Sequence, residues 1–308
     1  MRLLVVGAGS TGGYIGGRLA HIGRDVTFLV RPARAADLRE RGLRIVSPHG
    51  DITLYPKVVT AGQITTQYDA VLLTVKGFHL DAAVSDLGPA VGPETMILPV
   101  LNGMQHVYTL VRRFSPHSLI GCTLKVATIL EDDGHIVQLT PLQELAYGEW
   151  HGRITGRITE LDQFMQGASI GARLSNAIRR EMWEKWILLS VLGASTCFMR
   201  GTIGDIEACS GGSAFVLGLF DEIVNIVSAI GDAPSDDFLK STRVQLMKEG
   251  SLLTSSMFRD LQRNRPIEVE NIVGDLVRRG IRAGLEAPLL SAAYVHLRIY
   301  QNHIASIE

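Results

Sequence analysis

Up to about residue 122, short β-branched apolar runs alternate with stretches of helical periodicity: RLLVV (2–6), DVTFLV (25–30), DAVLLTV (69–75), TMILPVL (95–101) and SLIGC (118–122). Runs of this length with helices between them predict βαβ units and a parallel sheet. A further pair, LRIVS (43–47) and ITLYPKV (52–58), is separated by PHGD and predicts an inserted hairpin. Between 124 and 148 the runs LKVATIL, HIVQLT and ELAYG are joined by short turns such as EDDG, which predicts antiparallel strands appended to the sheet.

After about residue 175 apolar residues recur at spacings of three and four, and the pattern predicts helices over 176–200, 212–230, 235–249, 266–282 and 288–303. GDAPSDD (231–237) and Pro288 supply the breaks. The expectation is therefore an α/β domain over 1–174 followed by an all-helical domain over 175–308, and 308 residues suit two domains. No low-complexity linker separates them, so the two halves are expected to share a cleft.

Composition narrows the function. Hydrophobic residues make up 46% and charged ones 20%, enough for a large core and unlike a disordered chain. With 30 Lys and Arg against 31 Asp and Glu, net charge is −1, and nothing points to nucleic acid or an anionic membrane surface. Cys122, Cys197 and Cys209 form no CxxC pair and the nine histidines no HxxxH pair, so reduced thiols and no metal are expected. WILLSVLGASTCFM (186–199) is shorter than the roughly 20 residues a membrane span needs and reads as a buried helix. No charged n-region with a cleavage site precedes the first strand, and a cytoplasmic location is expected. Apolar faces on the later helices would suit a homodimer.

Gly7, Gly9 and Gly12 fit GxGxxG, with a strand before them and a small-residue helix after, the context of a Rossmann-type dinucleotide site. The first glycine permits the tight turn, the second lets backbone approach a pyrophosphate, and the third lets helix pack on strand. Ser10 and Thr11 complete the loop at the helix N-terminus, where amide hydrogens and the macrodipole favour an anion. An NAD site usually has Asp or Glu about 20 residues beyond the motif. Here FLVRPAR places Arg31 at that point and Arg34 one turn on, which favours the 2′-phosphate of NADPH/NADP+. Lys76 after LLTV and Asn102 after LPVL follow strands in the same way and are expected at one crevice with the cofactor and the substrate.

A reductase must also protonate the oxygen that gains charge. Lys185, in REMWEKWILLSVLG, lies between Trp183 and Trp186 on an apolar helix. Partial desolvation would lower its pKa and make it a better acid; the alternative is an ammonium that snorkels to water. Ser255, Ser256 and Glu268 lie in SSMFRDLQRNRPIEVENIVGDL (255–276). The serines would bond a substrate carboxylate or simply start a helix, and Glu268 would accept a hydroxyl, orient the lysine, or merely sit in a first turn.

Taken together, GAGSTGGYIG, LLTVK, LNGM, MWEKW and SSMFRDLQRNRPIEVENIVGDLV resemble the ketopantoate reductases (2-dehydropantoate 2-reductases), in family order over nearly the whole chain. The resemblance implies NADPH-dependent reduction of 2-dehydropantoate to pantoate, a step toward pantothenate and coenzyme A. It implies Lys185 as general acid, Glu268 and Ser256 as substrate-binding residues, and Lys76 and Asn102 near the nicotinamide end and the substrate. One departure stands out: the family's asparagines four and eight residues after the lysine are here Leu189 and Gly193. Either Leu189 faces an apolar part of a different small 2-oxo acid, or Ser190, Ser195 or Thr196 substitutes for the lost amides. A non-catalytic NADP-binding regulator is the remaining alternative, and retention of Lys185 and Glu268 argues against it.

Overall fold

Val and Leu runs with no exposed positions form strands that must be covered on both faces, and this is how the first sheet is built. A computed structural model describes residues 1–306. In chain order its first part contains β1 (Arg2–Val6), α1 (Ser10–His21), β2 (Asp25–Leu29), α2 (Pro32–Arg41), β3 (Leu43–Val46), β4 (Ile52–Leu54), β5 (Lys57–Val59), β6 (Ala70–Leu73), α3 (Leu80–Leu87) and β7 (Met96–Pro99). These are followed by α4 (Gln105–Arg113), β8 (Ile120–Leu130), β9 (Ile136–Glu149), α5 (Gly156–Met165) and β10 (Ala172–Leu174). The first sheet is parallel throughout, in the order β5-β2-β1-β6-β7, a Rossmann-type arrangement.

Four details differ from the sequence pattern. ITLYPKV is two strands: β4 closes the hairpin with β3, and after Tyr55 and Pro56 the chain leaves it so that β5 pairs with β2. Pro56 has no N–H to continue a ladder, which accounts for the break. The appended strands form a second, mixed sheet in the order β10-β9-β3-β4, with β8 along the other side of β9. HIVQLT and ELAYG are one 14-residue strand, β9. SLIGC is not a full member of the parallel sheet either, since it meets β7 through the single bridge Ile97↔Leu119 before running into β8.

Helix α1 lies between the two sheets because its glycines remove bulk on both sides. A Cβ at Gly16 would come 2.6 Å from Phe28 of β2, and one at Gly17 would come 2.7 Å from Ile45 of β3. The repeated GG pairs of the sequence are thus a packing device as well as a loop.

The compact units comprise Met1–Leu101 with His106–Arg179, and Asn102–Gln105 with the chain from Arg180 onward. The division therefore falls five residues past the expected boundary. The later elements are α6 (Ile178–Met199), α7 (Ile203–Glu207), α8 (Gly212–Ile230), α9 (Asp236–Leu246), α10 (Ser256–Gln262), a wide π turn (Glu270–Gly274) leading into α11 (Asp275–Arg282), and α12 (Pro288–Ala305). By length and composition alone α8, longer than the 186–199 run, could span a bilayer. Its apolar face, with Leu219, Phe220, Ile223, Ile226 and Val227 buried, packs with α11 and α12. Glu222 in its middle accepts the backbone N–H groups of Leu289 (3.0 Å) and Leu290 (2.9 Å), so an acid on an apolar helix serves to cap α12.

At the end of β9, Glu149 is 2% exposed and accepts bonds from Arg157 Nε (2.8 Å), Arg157 Nη2 (2.6 Å) and Thr155 Oγ1 (2.6 Å), tying the start of α5 to the sheet. Burial alone would raise its pKa, but the bonds from Arg157 and Thr155 and the neighbouring positive charge outweigh it and hold the carboxyl below its ordinary value. A depressed folded-state pKa means that the contribution is complete above the ordinary carboxylate range and is lost as pH falls through the folded value. Glu149→Gln, which leaves Arg157 without its counter-charge, is expected to cost about 3 kcal/mol at neutral pH. In urea unfolding, the gap between wild type and variant should narrow on acidification.

Candidate active site

The glycine loop is held from beneath. Gly7 adopts φ 98°, which favours glycine, and its N–H donates to Leu29 O at 3.0 Å. Thr74 Oγ1, at the exit of β6, donates to Val6 O (2.8 Å) and lies 3.2 Å from Gly7 O. A Cβ at Gly12 would sit 2.2 Å from both Gly7 O and Thr74 Oγ1, so the fold itself requires glycine there. Gly9 is different: a Cβ would meet nothing within 4 Å. Gly9 is also the N-cap of α1, where no side chain caps the helix and no acid occupies the first turn. The result is a cradle that a Cβ would fill, facing the uncapped amides of Ser10 and Thr11, which fits a pyrophosphate.

Arg31 and Arg34 do different things. Arg31 is exposed at the N-cap of α2, with Nη2 3.3 Å from Nδ1 of His79. Arg34 pairs with Asp37 and donates to Gly134 O at 3.2 Å, so its guanidinium holds a turn of the second sheet. Arg31 is thus the residue of the pair left facing outward, and the expectation that both arginines meet a 2′-phosphate is narrowed to it. His79, three residues past Lys76, was not singled out from the sequence. Partial burial, then the charges of Arg31 and Lys76, push its pKa down, so the imidazole is neutral and accepts from Arg31. Lys76 is half-buried, and its carbonyl accepts His79 N–H at 2.9 Å. Arg31, Lys76 and His79 form a basic cluster beyond the carboxyl ends of β2 and β6.

The second cluster belongs to the helical unit. Asn102 Nδ2 donates to Glu268 Oε2 at 3.0 Å. Next to it, Gly103 has φ 78°, and a Cβ would come 2.2 Å from Asn271 O, so the LNGM loop lies directly on the π turn that follows Glu268. Glu268 is buried, and its carbonyl accepts Ile272 N–H at 3.0 Å. At Ile272 the π turn meets α6, because the Ile272 carbonyl accepts both Trp186 Nε1 and Ser190 Oγ, each at 3.0 Å. Trp186 is further fixed by Trp183 (ring centroids 5.5 Å apart) and by the Arg279 guanidinium 5.5 Å from its ring.

These contacts set the rotation of α6. Trp186 and Ser190 face the π turn, and the half-buried Lys185 and Leu189 form the adjoining stripe four residues apart. Each of the hydroxyls considered as substitutes for the family's asparagines has its proton committed to a backbone carbonyl. Ser190 donates to Ile272 O, Ser195 to Val191 O (2.7 Å) and Thr196 to Leu192 O (2.6 Å). At Gly193 the terminal methyl of Met257 would lie 2.9 Å from a Cβ, so a side chain there would have to displace the end of that flexible methionine. Ser255 is the N-cap of α10, accepting Phe258 N–H at 2.9 Å, whereas Ser256 is exposed at the first helical position.

The two loop glycines separate fold from ligand. Gly12→Ala is expected to cost about 1–3 kcal/mol of stability through overpacking. Gly9→Ala should leave stability within about 0.5 kcal/mol of wild type, while lowering the affinity for a reduced nicotinamide dinucleotide in a fluorescence titration. Equal effects of the two substitutions on stability would contradict this assignment.

The chain matches the family model described as ketopantoate reductase PanE/ApbA over residues 3–152 and its C-terminal counterpart over residues 177–301. Among relatives, it is 33% identical over 302 residues to the uncharacterized oxidoreductase YkpB of Bacillus subtilis, covering 98% of this chain and 99% of the relative. It is 24% identical over 323 residues to a 2-dehydropantoate 2-reductase of Mesorhizobium japonicum, covering 97% of each. The crystal structure of 2-dehydropantoate 2-reductase from Geobacter metallireducens superposes with a TM-score of 0.86 at 25% identity, covering 98% of this chain and 99% of that one. With its glycine loop, its Asn102–Glu268 pair and its lysine helix all in place, the chain belongs to the ketopantoate reductase family of oxidoreductases.

Proposed function

We propose that this chain is an NADPH-dependent reductase of a small 2-oxo acid, with 2-dehydropantoate as the reference substrate. The observation that carries the reading is the Asn102–Glu268 hydrogen bond on the turn to which the Lys185 helix is locked through Ile272. Family membership and the uncapped loop at Gly9 support the dinucleotide. Ser10 and Thr11 amides meet its pyrophosphate, while Arg31, with Lys76 beside it, meets the 2′-phosphate. His79, a neutral acceptor, orients the Arg31 fork. When bound, the reduced nicotinamide supplies hydride to the keto carbon.

Lys185 acts at the oxygen of that carbon. Its ammonium stabilises the charge that grows there and delivers the proton from Nζ. Glu268, fixed by the Asn102 amide, aligns that ammonium, and Ser256 donates to the substrate carboxylate. Asn102 thus works through Glu268 as a positioning residue.

Lys185→Ala is expected to lower kcat by about 10²–10⁴-fold, with NADPH affinity within twofold of wild type in a fluorescence titration. Near-normal turnover would overturn the role. Arg31→Ala should weaken NADPH binding by about 10–100-fold, the value of a charged hydrogen-bond pair, and leave NADH binding nearly unchanged. Equal losses for the two dinucleotides would show that Arg31 does not read the 2′-phosphate.

A further inference from the structure

We infer that the substrate presents an apolar group where 2-dehydropantoate presents a terminal hydroxyl, so that this chain reduces 2-oxo acids with branched aliphatic side chains in preference to hydroxylated ones. The inference rests on the 2-oxo acid reading above and narrows its substrate class.

The argument starts from the surface of α6 around Lys185. One turn on from the lysine, and on its face, is Leu189, half-buried and unable to hydrogen-bond. One turn further, the space over Gly193 is filled by the Met257 methyl and bounded by Ile272 Cγ2, 3.6 Å from where a Cβ would be. The polar groups on the flanking positions all point elsewhere: Trp186 and Ser190 bond the Ile272 carbonyl, and Ser195 and Thr196 bond carbonyls of their own helix. Ser255 accepts Phe258 N–H as a helix cap. The stripe that follows the lysine is therefore leucine, glycine and methionine, with no donor aimed at a ligand.

A hydroxyl desolvated against that surface would leave its lone pairs without donors. Glu268, which receives the Asn102 amide on Oε2, is acceptor-only when ionised and offers those lone pairs no donor, and the Lys185 ammonium is engaged at the keto oxygen. A methyl group in the same place forfeits nothing and adds contact with Leu189. At both positions where the family carries asparagine the surface is apolar, Leu189 at the first and the Met257 methyl lying over Gly193 at the second.

The test compares two acids that differ by one hydroxyl: 2-dehydropantoate and 3,3-dimethyl-2-oxobutanoate, each assayed with NADPH and with NADH. The expected result is a kcat/KM at least about tenfold higher for the dimethyl acid, with 4-methyl-2-oxopentanoate also turned over. Leu189→Asn should move the ratio toward 2-dehydropantoate by about tenfold or more. A smaller preference in the wild type, or a preference for 2-dehydropantoate, overturns the inference and leaves the reductase reading standing. Oxidation of neither dinucleotide by any of the three acids overturns the reductase reading, and the inference falls with it.

Discussion

The carbonyl oxygen of Ile272 accepts two hydrogen bonds from α6, and the chemistry-bearing face of the helical unit follows from that contact. In an ordinary helix a carbonyl is occupied by the ladder and offers little to a neighbour. Here the π turn at Glu270–Gly274 sends the Asp275 N–H back five residues to Glu270 O, and the backbone widens where α6 packs. With an indole and a hydroxyl both committed to one oxygen, α6 has one rotation. Lys185 and Leu189 must then form the adjoining stripe, and Glu268 is tied to the same turn through the Ile272 N–H. The close approach at Gly103 holds Asn102 against Glu268. Lysine, carboxylate and amide are thus positioned by backbone contacts more than by each other.

The dinucleotide unit works on a related principle, in which lack of side-chain volume is the active ingredient. Gly12 is required by the protein itself, Gly16 and Gly17 let one helix lie against two sheets, and Gly9 opens onto unfilled space. Thr74 fastens the loop from below, so the amides of the first helical turn are presented by a rigid element. Arg31, Lys76 and His79 then supply positive charge and a neutral acceptor beyond the strand ends.

Much of this was legible in the sequence because it depends on local rules. Alternating runs gave the βαβ units, and glycine spacing with the preceding strand gave the loop. Arg31 was expected from a strand end, and Lys185, Glu268 and Ser256 from motif order; of these the structure places Arg31 exposed beside His79 and Glu268 against Asn102. What was not legible depends on partners distant in sequence. Short runs joined by turns mark β8 and β9 as strands without saying that they build a second sheet with β3. Arg34 looked equivalent to Arg31 until Asp37 and the Gly134 carbonyl claimed it. Ser190, Ser195 and Thr196 looked available because a sequence does not display which hydroxyls bond backbone. His79 had a weak signal in its place just past Lys76 at a strand exit, and Thr74 had one in the motif LLTVK.

The account turns on Lys185 as the proton donor, and the pH dependence of kcat with a saturating 2-oxo acid tests this most directly. A general acid must be protonated to act, so the rate should fall as pH rises through its pKa. That descending alkaline limb should be absent from the residual rate of Lys185→Ala. A wild-type profile without the limb, or the same limb retained in the variant, would contradict the assignment.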